Sequence, residues 1–293
     1  MSNTTQPIVY FSDLDHTLFQ SLASDARGVT PMAVNGKGED HSYARRDQQA
    51  LFAQMIETGI VVPVTARSHE QLERVKGFVT GRAYDLALTD LGASLLVRDN
   101  NGDGQWHAVS AWTEHYLPMV NPHIRRLTKD YETIEDWIRN SDLAGQVHID
   151  LIQLGKLHLP LYIVLTVNAD VESLAEKVAQ VRHRFAEPIA RATGKYGIHE
   201  TEGQICLWPT FVSKGMAVQR LQVALREGLG DPRFDRARDF LSLEGAVTFG
   251  VGDSTTDIEF MQHADFMIVP KKAQISCLLD AQVATMLGKE HKQ

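Results

Sequence analysis

The chain has 293 residues, enough for two domains of ordinary size. Hydrophobic residues make up 43% and charged residues 23%, which is normal for a globular protein. The formal net charge of -8 argues against nucleic acid as the main partner, because phosphate backbones recruit an excess of Lys and Arg. A small phosphorylated ligand remains compatible, since a local basic site can lie in an acidic protein.

The two cysteines, Cys206 and Cys277, are too few for a disulfide framework and have no metal-ligand spacing. The polar N-terminus lacks a basic-then-apolar signal pattern, and no apolar run is long enough to cross a bilayer. We therefore expect a cytoplasmic protein with no membrane partner. The sequence leaves the oligomeric state open.

The beginning of the chain alternates between apolar, β-rich runs and amphipathic stretches. A capping box formed by Ser68 and Gln71 marks the start of one helix. The pattern predicts, in chain order, a buried strand at 8–11, a long loop at 21–41, a helix at 42–58, a buried strand at 60–64, a helix from His69, a third strand at 86–88 and a hairpin over 93–109. This alternation of strand and helix indicates a parallel sheet with helices on both faces.

The middle of the chain changes character, and the helix–strand rhythm returns after it. The middle predicts a polar helix at 112–140, strands at 147–152 and 161–167, an amphipathic helix at 171–185 and a strand pair at 198–208. The last part predicts a helix at 213–225, a Gly-, Asp- and Arg-rich connection at 228–240, and strands at 246–251 and 266–269 that each precede a helix. We therefore predict an α/β fold, a doubly wound, Rossmann-like parallel sheet built from residues 1–110 and 205–293, with an α+β domain of residues 111–204 inserted into it.

Four short polar segments lie where the predicted strands should end. Because ligands bind at the carboxyl ends of strands in open parallel sheets, the four can converge in space. A hydroxyl such as that of Thr65 can there donate a hydrogen bond to a phosphoryl oxygen. The segments are Asp13-Leu14-Asp15-His16-Thr17, Val64-Thr65-Ala66-Arg67, Ser213-Lys214-Gly215 and Gly250-Val251-Gly252-Asp253-Ser254-Thr255-Thr256-Asp257.

The carboxylates and the lysine of these segments suit phosphoryl chemistry. Asp13 and Asp15 can face the same side of a strand, and two carboxylates in one pocket repel unless a cation or a proton intervenes. Mg²⁺ takes oxygen ligands of this kind, and a carboxylate can act as the nucleophile toward phosphorus. Lys214 at a helix start can neutralise the transferring group, while Asp253 and Asp257 can face one cation. Taken singly, each segment is more typical of a turn, a loop or a helix cap than of a catalytic motif.

In their order and spacing, the four segments resemble the motifs of the haloacid dehalogenase (HAD) superfamily of phosphohydrolases. The resemblance spans the whole chain. The insertion falls between the second and third motifs, which is similar to the large cap of Cof-type and sucrose-phosphatase-like members. Leu207-Trp208-Pro209 followed by Ser213-Lys214-Gly215 resembles the strand-to-lysine junction of that group.

The resemblance implies a role for each matching residue and Mg²⁺ as the cofactor. Phosphate transfer is favoured over dehalogenation, which needs no acid at position 15. The implied roles are Asp13 as nucleophile and metal ligand, Asp15 as general acid and base with a carbonyl on the metal, Thr65 and Arg67 as phosphate-binding residues, Lys214 as a phosphate-binding and charge-neutralising residue, Asp253 as a metal ligand, and Asp257 as a residue that binds or orients the metal or its water.

The chain departs from the family pattern at three places. His16 stands where glycine is frequent, and we interpret it as a packing or loop contact. Ala66 replaces the glycine of the usual Thr-Gly-Arg, and Leu91 replaces the Asn of the Asn-Gly-Ala that the Cof group usually has. Any contact made by that Asn is therefore in doubt.

The inserted domain carries basic and polar residues, most of which are expected to form a solvated surface. The stretch from Arg191 to His199 lies in a predicted loop leading back to the first domain. On that ground we name Arg191, Lys195 and His199 as candidate substrate contacts.

These observations predict a Mg²⁺-dependent phosphatase of a small phosphorylated metabolite, with a sugar phosphate as the expected class. A large cap disfavours phosphoprotein substrates, because it encloses a small molecule. The first alternative is a phosphomannomutase-like phosphosugar mutase, which a requirement for a bisphosphate activator would reveal. The second is a non-catalytic sensor of a phosphorylated ligand, which would be expected to lack Asp13 or Asp15. The fold alone does not identify the substrate.

Overall fold

The computed structural model of the protein describes residues 6–22, 24–154, 159–201, 203–241 and 245–286. The chain forms two compact units, the first comprising the chain up to Trp112 and from Ser213 onward, the second Thr113–Val212. The sequence placed the return to the first unit at residue 205, which is too early. Residues 204–209 form a strand that is hydrogen-bonded within the sheet of the second unit, so the return follows that strand.

The strands and helices of the described residues are numbered in chain order. The strands are β1 (Ile8–Ser12), β2 (Gln20–Ser21), β3 (Thr30–Val34), β4 (Asp40–Ala44), β5 (Ile60–Pro63), β6 (Tyr84–Thr89), β7 (Ser94–Asp99), β8 (Trp106–Ala108), β9 (Val147–Leu154), β10 (Leu159–Val167), β11 (Tyr196–Thr201), β12 (Gln204–Pro209), β13 (Val247–Val251) and β14 (Phe266–Ile268). The helices are α1 (Arg46–Thr58), α2 (His69–Glu73), α3 (Ser110–Glu114), α4 (Leu117–Arg139), α5 (Val171–Val181), α6 (Glu187–Thr193), α7 (Lys214–Glu227), α8 (Pro232–Leu241), α9 (Ile258–Met261) and α10 (Gln274–Met286).

The first unit is built on a parallel sheet with the strand order β14-β13-β1-β5. The central strand β1 places Ile8 opposite Val247 and Val9 opposite Ile60. Its residues after Ile8 are all buried, as expected for a parallel strand covered on both faces. The predicted α/β class with a parallel sheet is therefore confirmed, and the carboxyl ends of β1, β5 and β13 open at one edge.

An antiparallel sheet of order β6-β7-β8 continues the first unit after β5. The predicted hairpin is present, with Leu86 opposite Val97. The Thr65 N–H donates to Leu88 O at 3.0 Å, which ties the segment after β5 to β6. The third predicted strand, β6, thus lies beside the parallel sheet. Its strand-to-strand hydrogen bonds, however, are formed with β7 of the hairpin.

Residues 21–41, predicted as a loop, contribute to a small antiparallel sheet of order β2-β4-β3. Met32 and Ala33 of β3 are buried against Val75 and Phe78 in the core of the first unit. The predicted helix start at residue 42 was also wrong, because Ser42 pairs with Ala33 and helix α1 begins only after β4.

The second unit is an antiparallel sheet of order β11-β12-β10-β9 covered by helices. Helix α4 packs on β10, and its buried Leu127 and Ile134 lie two turns apart on one face. Ile163 and Leu165 of β10 meet them in one hydrophobic core together with Phe185. This is an α+β arrangement, as the sequence predicted for the insertion.

Helix α8 was predicted as a connection. Asp231 caps it by accepting hydrogen bonds from the N–H groups of Arg233 and Phe234, at 3.0 and 3.1 Å. Phe234 and Ala237 are fully buried on its inner face. Within the described ranges, no helix combines the length and apolar character needed to cross a bilayer.

Candidate active site

Lys214 binds two carboxylates at the carboxyl edge of the parallel sheet. Its Nζ donates to Asp13 Oδ1 and to Asp257 Oδ1, each at 2.7 Å, and all three side chains are buried. Asp13 directly follows β1, and its N–H donates to Val251 O at the end of β13. The structure thus brings the first, third and fourth polar segments together at one point.

The helix that carries Lys214 begins in close contact with α9. The Ser213 Oγ accepts hydrogen bonds from Gly215 and Met216 N–H and donates one to Glu259 Oε2 at 2.6 Å. A Cβ on Gly215 would lie 2.5 Å from Glu259 O. Glycine is therefore required at 215 for this helix start to approach α9 and to aim Lys214 at the two carboxylates.

Asp257 has both oxygens occupied by protein donors. Oδ1 accepts from Lys214, and Oδ2 accepts from Asp253 N–H at 3.1 Å, Ser254 N–H at 3.0 Å and Ser254 Oγ at 2.8 Å. A Cβ on Gly252 would lie 2.6 Å from Asp257 Cβ, so the loop can close on this carboxylate only with glycine there. Asp257 therefore fixes the loop and Lys214.

Thr17 bridges Asp13 and Asp253. Its Oγ1 lies 3.4 Å from Asp13 Oδ2 and 3.1 Å from Asp253 Oδ1. A hydroxyl has one proton, so it can serve only one of these oxygens at a time. Within the described part of the chain, no donor reaches Asp253 Oδ2. The repulsion between the two carboxylates is thus only partly offset by the protein.

The donor set fits a divalent cation. Asp13, Asp253 and Asp257 each offer an oxygen, and these oxygens lie within 4.8 Å of one another. One lysine cannot balance three carboxylates, and oxygen ligands are those that Mg²⁺ prefers. Because the oxygens of Asp257 are already engaged, Asp13 and Asp253 are the better direct ligands.

The pKa values of the three carboxylates reflect this crowding. Burial raises the pKa of Asp13 well above its ordinary value; Lys214 opposes the shift, while Asp257 and Asp253 add to it. Burial, then the Asp257 charge, raises the pKa of Asp253 to about 6. Burial also acts against ionisation of Asp257, but Lys214 and the Ser254 hydrogen bonds outweigh it and lower its pKa. Asp13 and Asp253 are therefore the two carboxylates whose charged forms a bound cation would favour most, because burial and their neighbours raise the pKa of both.

Asp15 is held by Arg67. The guanidinium donates from Nε to Asp15 Oδ2 at 2.8 Å and from its terminal nitrogen to Oδ1 at 2.6 Å, a bidentate pair. Burial acts against the charge of Asp15, but Arg67 outweighs it and lowers the pKa of Asp15. Asp15 is therefore ionised in this arrangement and has to leave Arg67 before it can donate a proton.

Thr65 lies in the segment that follows β5 and is almost fully buried. Its Oγ1 accepts the Arg67 N–H at 3.1 Å, and its own N–H donates to Leu88 O. The hydroxyl proton remains available for an oxygen of a ligand. The second polar segment is thus joined to the first through the Arg67–Asp15 pair.

The three residues of the second unit that the sequence named as candidate substrate contacts each interact with a different neighbouring residue. Arg191 on α6 donates to Glu187 at 2.7 Å and is largely exposed. The N–H of Lys195 donates to Thr193 Oγ1, and His199 packs its ring against Trp208. The predicted loop was wrong, because Arg191 lies on α6 and His199 on β11. The role of the three residues as substrate contacts stays a prediction.

Sequence reasoning gave no role to Thr17 or Ser254, although both lie within the polar segments. Ser254 stands three residues before Asp257, a spacing at which its hydroxyl can donate to the carboxylate that precedes a helix. His16 has a φ of 63°, which explains why glycine suits this position. The charge of His16, when protonated, lowers the pKa of Asp15 and Asp253, so its ring belongs to the surroundings of the site.

Magnesium is expected to stabilise the protein more at about pH 7.5 than at about pH 5. The folded-state pKa of Asp253 is raised to about 6, so the stability that this group contributes below its ordinary pKa of 3.8 is lost as the pH rises through about 6. A cation bound by Asp253 would restore it. Thermal midpoints with Mg²⁺ and with EDTA at both pH values measure this. An equal Mg²⁺ effect at both pH values, or an unchanged effect in Asp253→Asn, would contradict the assignment.

Comparisons with known proteins give structural likeness only. No protein-family model matches this chain, and no curated protein does. The C-terminal domain of the C. albicans trehalose-6-phosphate phosphatase is 12% identical over 98% of this chain and 80% of that one, with a TM-score of 0.48. The Synechocystis sucrose-phosphatase in complex with sucrose and phosphate is 13% identical over 95% and 98%, with a TM-score of 0.44. An IMP-bound mutant of the Plasmodium falciparum IMP-nucleotidase is 10% identical over 97% and 68%, with a TM-score of 0.48. The function proposed below therefore rests on the residues of the site.

Proposed function

We propose that the protein is a Mg²⁺-dependent phosphoric monoester hydrolase of the HAD superfamily that forms an aspartyl phosphate on Asp13. The observation that carries this proposal is the buried cluster in which Lys214 binds Asp13 and Asp257 while Asp253 lies beside them. Perturbed, buried carboxylates that converge with a lysine at the carboxyl edge of a parallel sheet are typical of a catalytic centre. The substrate is a small phosphorylated metabolite, and we propose a sugar phosphate.

In the first step, an oxygen of Asp13 attacks phosphorus and the bond from phosphorus to the leaving oxygen breaks. Lys214 offsets the charge that gathers on Asp13 and on the phosphoryl oxygens. The Thr65 hydroxyl donates to one of those oxygens. Asp15 gives its proton to the leaving oxygen, so the product alcohol departs neutral.

Arg67 has a place in this step because it holds Asp15 in the absence of substrate. A phosphoryl group is a competing anion with the geometry that a guanidinium prefers. When Arg67 turns to the substrate, Asp15 loses the partner that lowers its pKa and can carry a proton. Substrate binding would thereby prepare the general acid.

In the second step, Asp15 takes a proton from water and the water oxygen attacks phosphorus. The bond between phosphorus and Asp13 breaks, which yields inorganic phosphate and restores the carboxylate. Asp13, Asp253 and the carbonyl of Asp15 would hold Mg²⁺, with Asp257 orienting Lys214 and the loop. When bound, the cation supplies charge neutralisation and orientation for phosphoryl transfer.

We assign the second unit to substrate selection as a cap, with the catalytic core formed by the first unit. Arg191, Lys195 and His199 are proposed as its substrate contacts. We expect Arg191→Ala to raise the KM for the preferred substrate several-fold while leaving kcat unchanged, because such a contact acts on binding alone. Steady-state kinetics against wild type measure this, with Arg139→Ala, another exposed arginine of the second unit, as the control. Unchanged KM in Arg191→Ala would remove this residue from the proposed contacts.

Release of inorganic phosphate from a panel of sugar phosphates and other phosphometabolites, with Mg²⁺ and with EDTA, tests the proposal. We expect release that requires Mg²⁺, with the preferred substrate defining the class. Release from no member of the panel, by folded protein that binds Mg²⁺, would contradict a hydrolase. In that case a bisphosphate-dependent transfer between sugar positions would indicate a mutase, and binding without turnover would indicate a sensor.

A further inference from the structure

A turn with unusual backbone conformation lies beside the phosphate-binding segment. Asp90 and Leu91 have φ values of 52° and 57°, in the left-handed region that L side chains rarely adopt. Neither residue is a glycine, and both are buried. Such strain persists only where surrounding contacts determine it, and it concentrates at functional sites.

The turn holds the segment that carries Thr65 and Arg67. The Leu91 N–H donates to Thr65 O at 3.1 Å, and the Asp90 N–H donates to Arg67 O at 2.9 Å. Both hydrogen bonds depend on the left-handed backbone, because it turns two successive N–H groups toward the same segment. If the turn relaxed to φ values below zero, the carbonyl groups of Thr65 and Arg67 would lose these two hydrogen bonds.

The same turn is packed against the helix of Lys214. A Cβ on Gly92 would lie 2.2 Å from the Cβ of Ala217 in α7. The indole N–H of Trp112 donates to Gly92 O at 3.0 Å, and Trp112 is fully buried. The turn is therefore wedged between the second and third polar segments.

Asp90 is the first residue of this turn, and its carboxyl group has little around it to stabilise a charge. It is fully buried, and within the described residues no hydrogen-bond donor reaches its Oδ1. The Thr89 hydroxyl lies 3.3 Å from Oδ2. An unpaired carboxylate oxygen in such surroundings is costly, so the neutral acid is favoured.

We propose that Asp90, as an uncharged acid, is a positioning residue that keeps the turn Asp90–Gly92 in its left-handed form and thereby holds Thr65 and Arg67 for the phosphoryl group. The inference rests on the proposed function. It adds to that function a residue that does not touch the substrate and acts through the segment it anchors.

Among the described residues, no charged neighbour supplies a counter-charge to Asp90. The segments that hold the turn carry Arg67, which pairs with Asp15, and Lys214, which pairs with Asp13 and Asp257. Arg220 of α7 stacks on Trp112 and donates to its carbonyl. Burial raises the pKa of Asp90 to about 7 and outweighs the opposing hydrogen bonds from Ser94 and Thr89.

The first test compares Asp90→Asn with Asp90→Val in the full chain, with inorganic phosphate as the probe in calorimetric titrations containing Mg²⁺. Asn matches the shape of the neutral acid and tolerates left-handed backbone, whereas Val does neither. We expect Asp90→Asn to bind phosphate like the wild type near pH 6, and the dissociation constant of Asp90→Val to rise at least about tenfold, because displacement by a fraction of an ångström weakens an oriented contact.

The second test follows the same titrations from about pH 6 to about pH 8.5. Ionisation of Asp90 is expected to weaken phosphate binding by the wild type and not by Asp90→Asn, so the ratio of their dissociation constants should grow several-fold. Phosphate and Mg²⁺ ligands titrate equally in both proteins, so the ratio isolates position 90. This ratio tests the proposed role of Asp90 even if Asp90→Val does not fold.

Asp85→Asn provides the matched control. Asp85 is a buried carboxylate of β6, five residues before Asp90, and binds Arg98, Thr80 and Asn100 away from the turn. We expect this variant to have a lower thermal midpoint than the wild type and to keep the wild-type affinity for phosphate. A wild-type protein that neither binds phosphate nor hydrolyses phosphomonoesters would overturn the proposed function and this inference together. If the wild type does both, and Asp90→Asn and Asp90→Val match it at every pH, only the inference is overturned.

Discussion

Replacement of Asp13 by Asn is expected to lower phosphate release by at least about 1,000-fold, because the amide cannot form the acyl phosphate. The fold should persist. Asn has the same shape, and Lys214 keeps its hydrogen bond to Asp257 at 2.7 Å. The change also replaces one of three crowded carboxylates by a neutral group. It thereby removes a charge that burial and the neighbouring carboxylates disfavour.

Single-turnover phosphate release with the preferred substrate of the wild type measures this effect, with circular dichroism as the check on folding. Asp142→Asn is the control, since Asp142 is an exposed carboxylate of the second unit paired with Arg184. The Mg²⁺-dependent rise of the thermal midpoint should shrink in Asp13→Asn and stay in the control. Wild-type turnover in folded Asp13→Asn would remove the proposed nucleophile.

The position of the site could be predicted because its parts are local signals at strand ends. An apolar run that stops at Asp13, and another that stops at Asp253, each mark the carboxyl end of a strand. The parallel arrangement then brings these ends to one edge without knowledge of any side chain. The order of the strands, β14-β13-β1-β5, could not be predicted from the sequence, and it is this order that places β13 directly beside β1.

The pairing of side chains within the site could not be predicted. Nothing in Thr65-Ala66-Arg67 indicates that the arginine binds Asp15 in a bidentate pair. That contact depends on how the segment after β5 turns, which the hydrogen bonds from Asp90 and Leu91 determine. Left-handed backbone at a leucine has no signature in its residue type, so it appears only in the structure.

Two segments had their secondary structure predicted wrongly, for different physical reasons. Strands β3 and β4 are short and their pairing contains register shifts, and their apolar side chains are buried in a core that includes Val75 and Phe78, which follow α2. Such strands depend on distant contacts rather than on periodicity. Helix α8 was predictable, because Asp231 precedes Pro232 and apolar residues recur at helical spacing; its Gly-, Asp- and Arg-rich composition obscured the pattern.

Replacement of Lys214 by Met is expected to damage both activity and stability. The change leaves Asp13 and Asp257 buried without their shared cation, and breaking a buried pair in this way costs about 3–5 kcal/mol of unfolding free energy. Phosphate release should fall at least about 100-fold, because charge on the phosphoryl group is no longer offset. Both effects follow from one Nζ that lies 2.7 Å from each carboxylate.

Denaturant unfolding with EDTA and with Mg²⁺ separates the charge effect from packing. A bound cation offsets the carboxylates that Lys214→Met leaves unpaired, so Mg²⁺ should stabilise this variant more than it stabilises the wild type. Lys129→Met, at an exposed position of α4, controls for loss of a lysine and should behave like the wild type. A Lys214→Met protein with wild-type stability in EDTA would show that Asp13 and Asp257 are not both charged in the metal-free state. Wild-type activity in the same variant would show that transfer does not need this charge, and the assignment of Lys214 to the reaction would then be wrong.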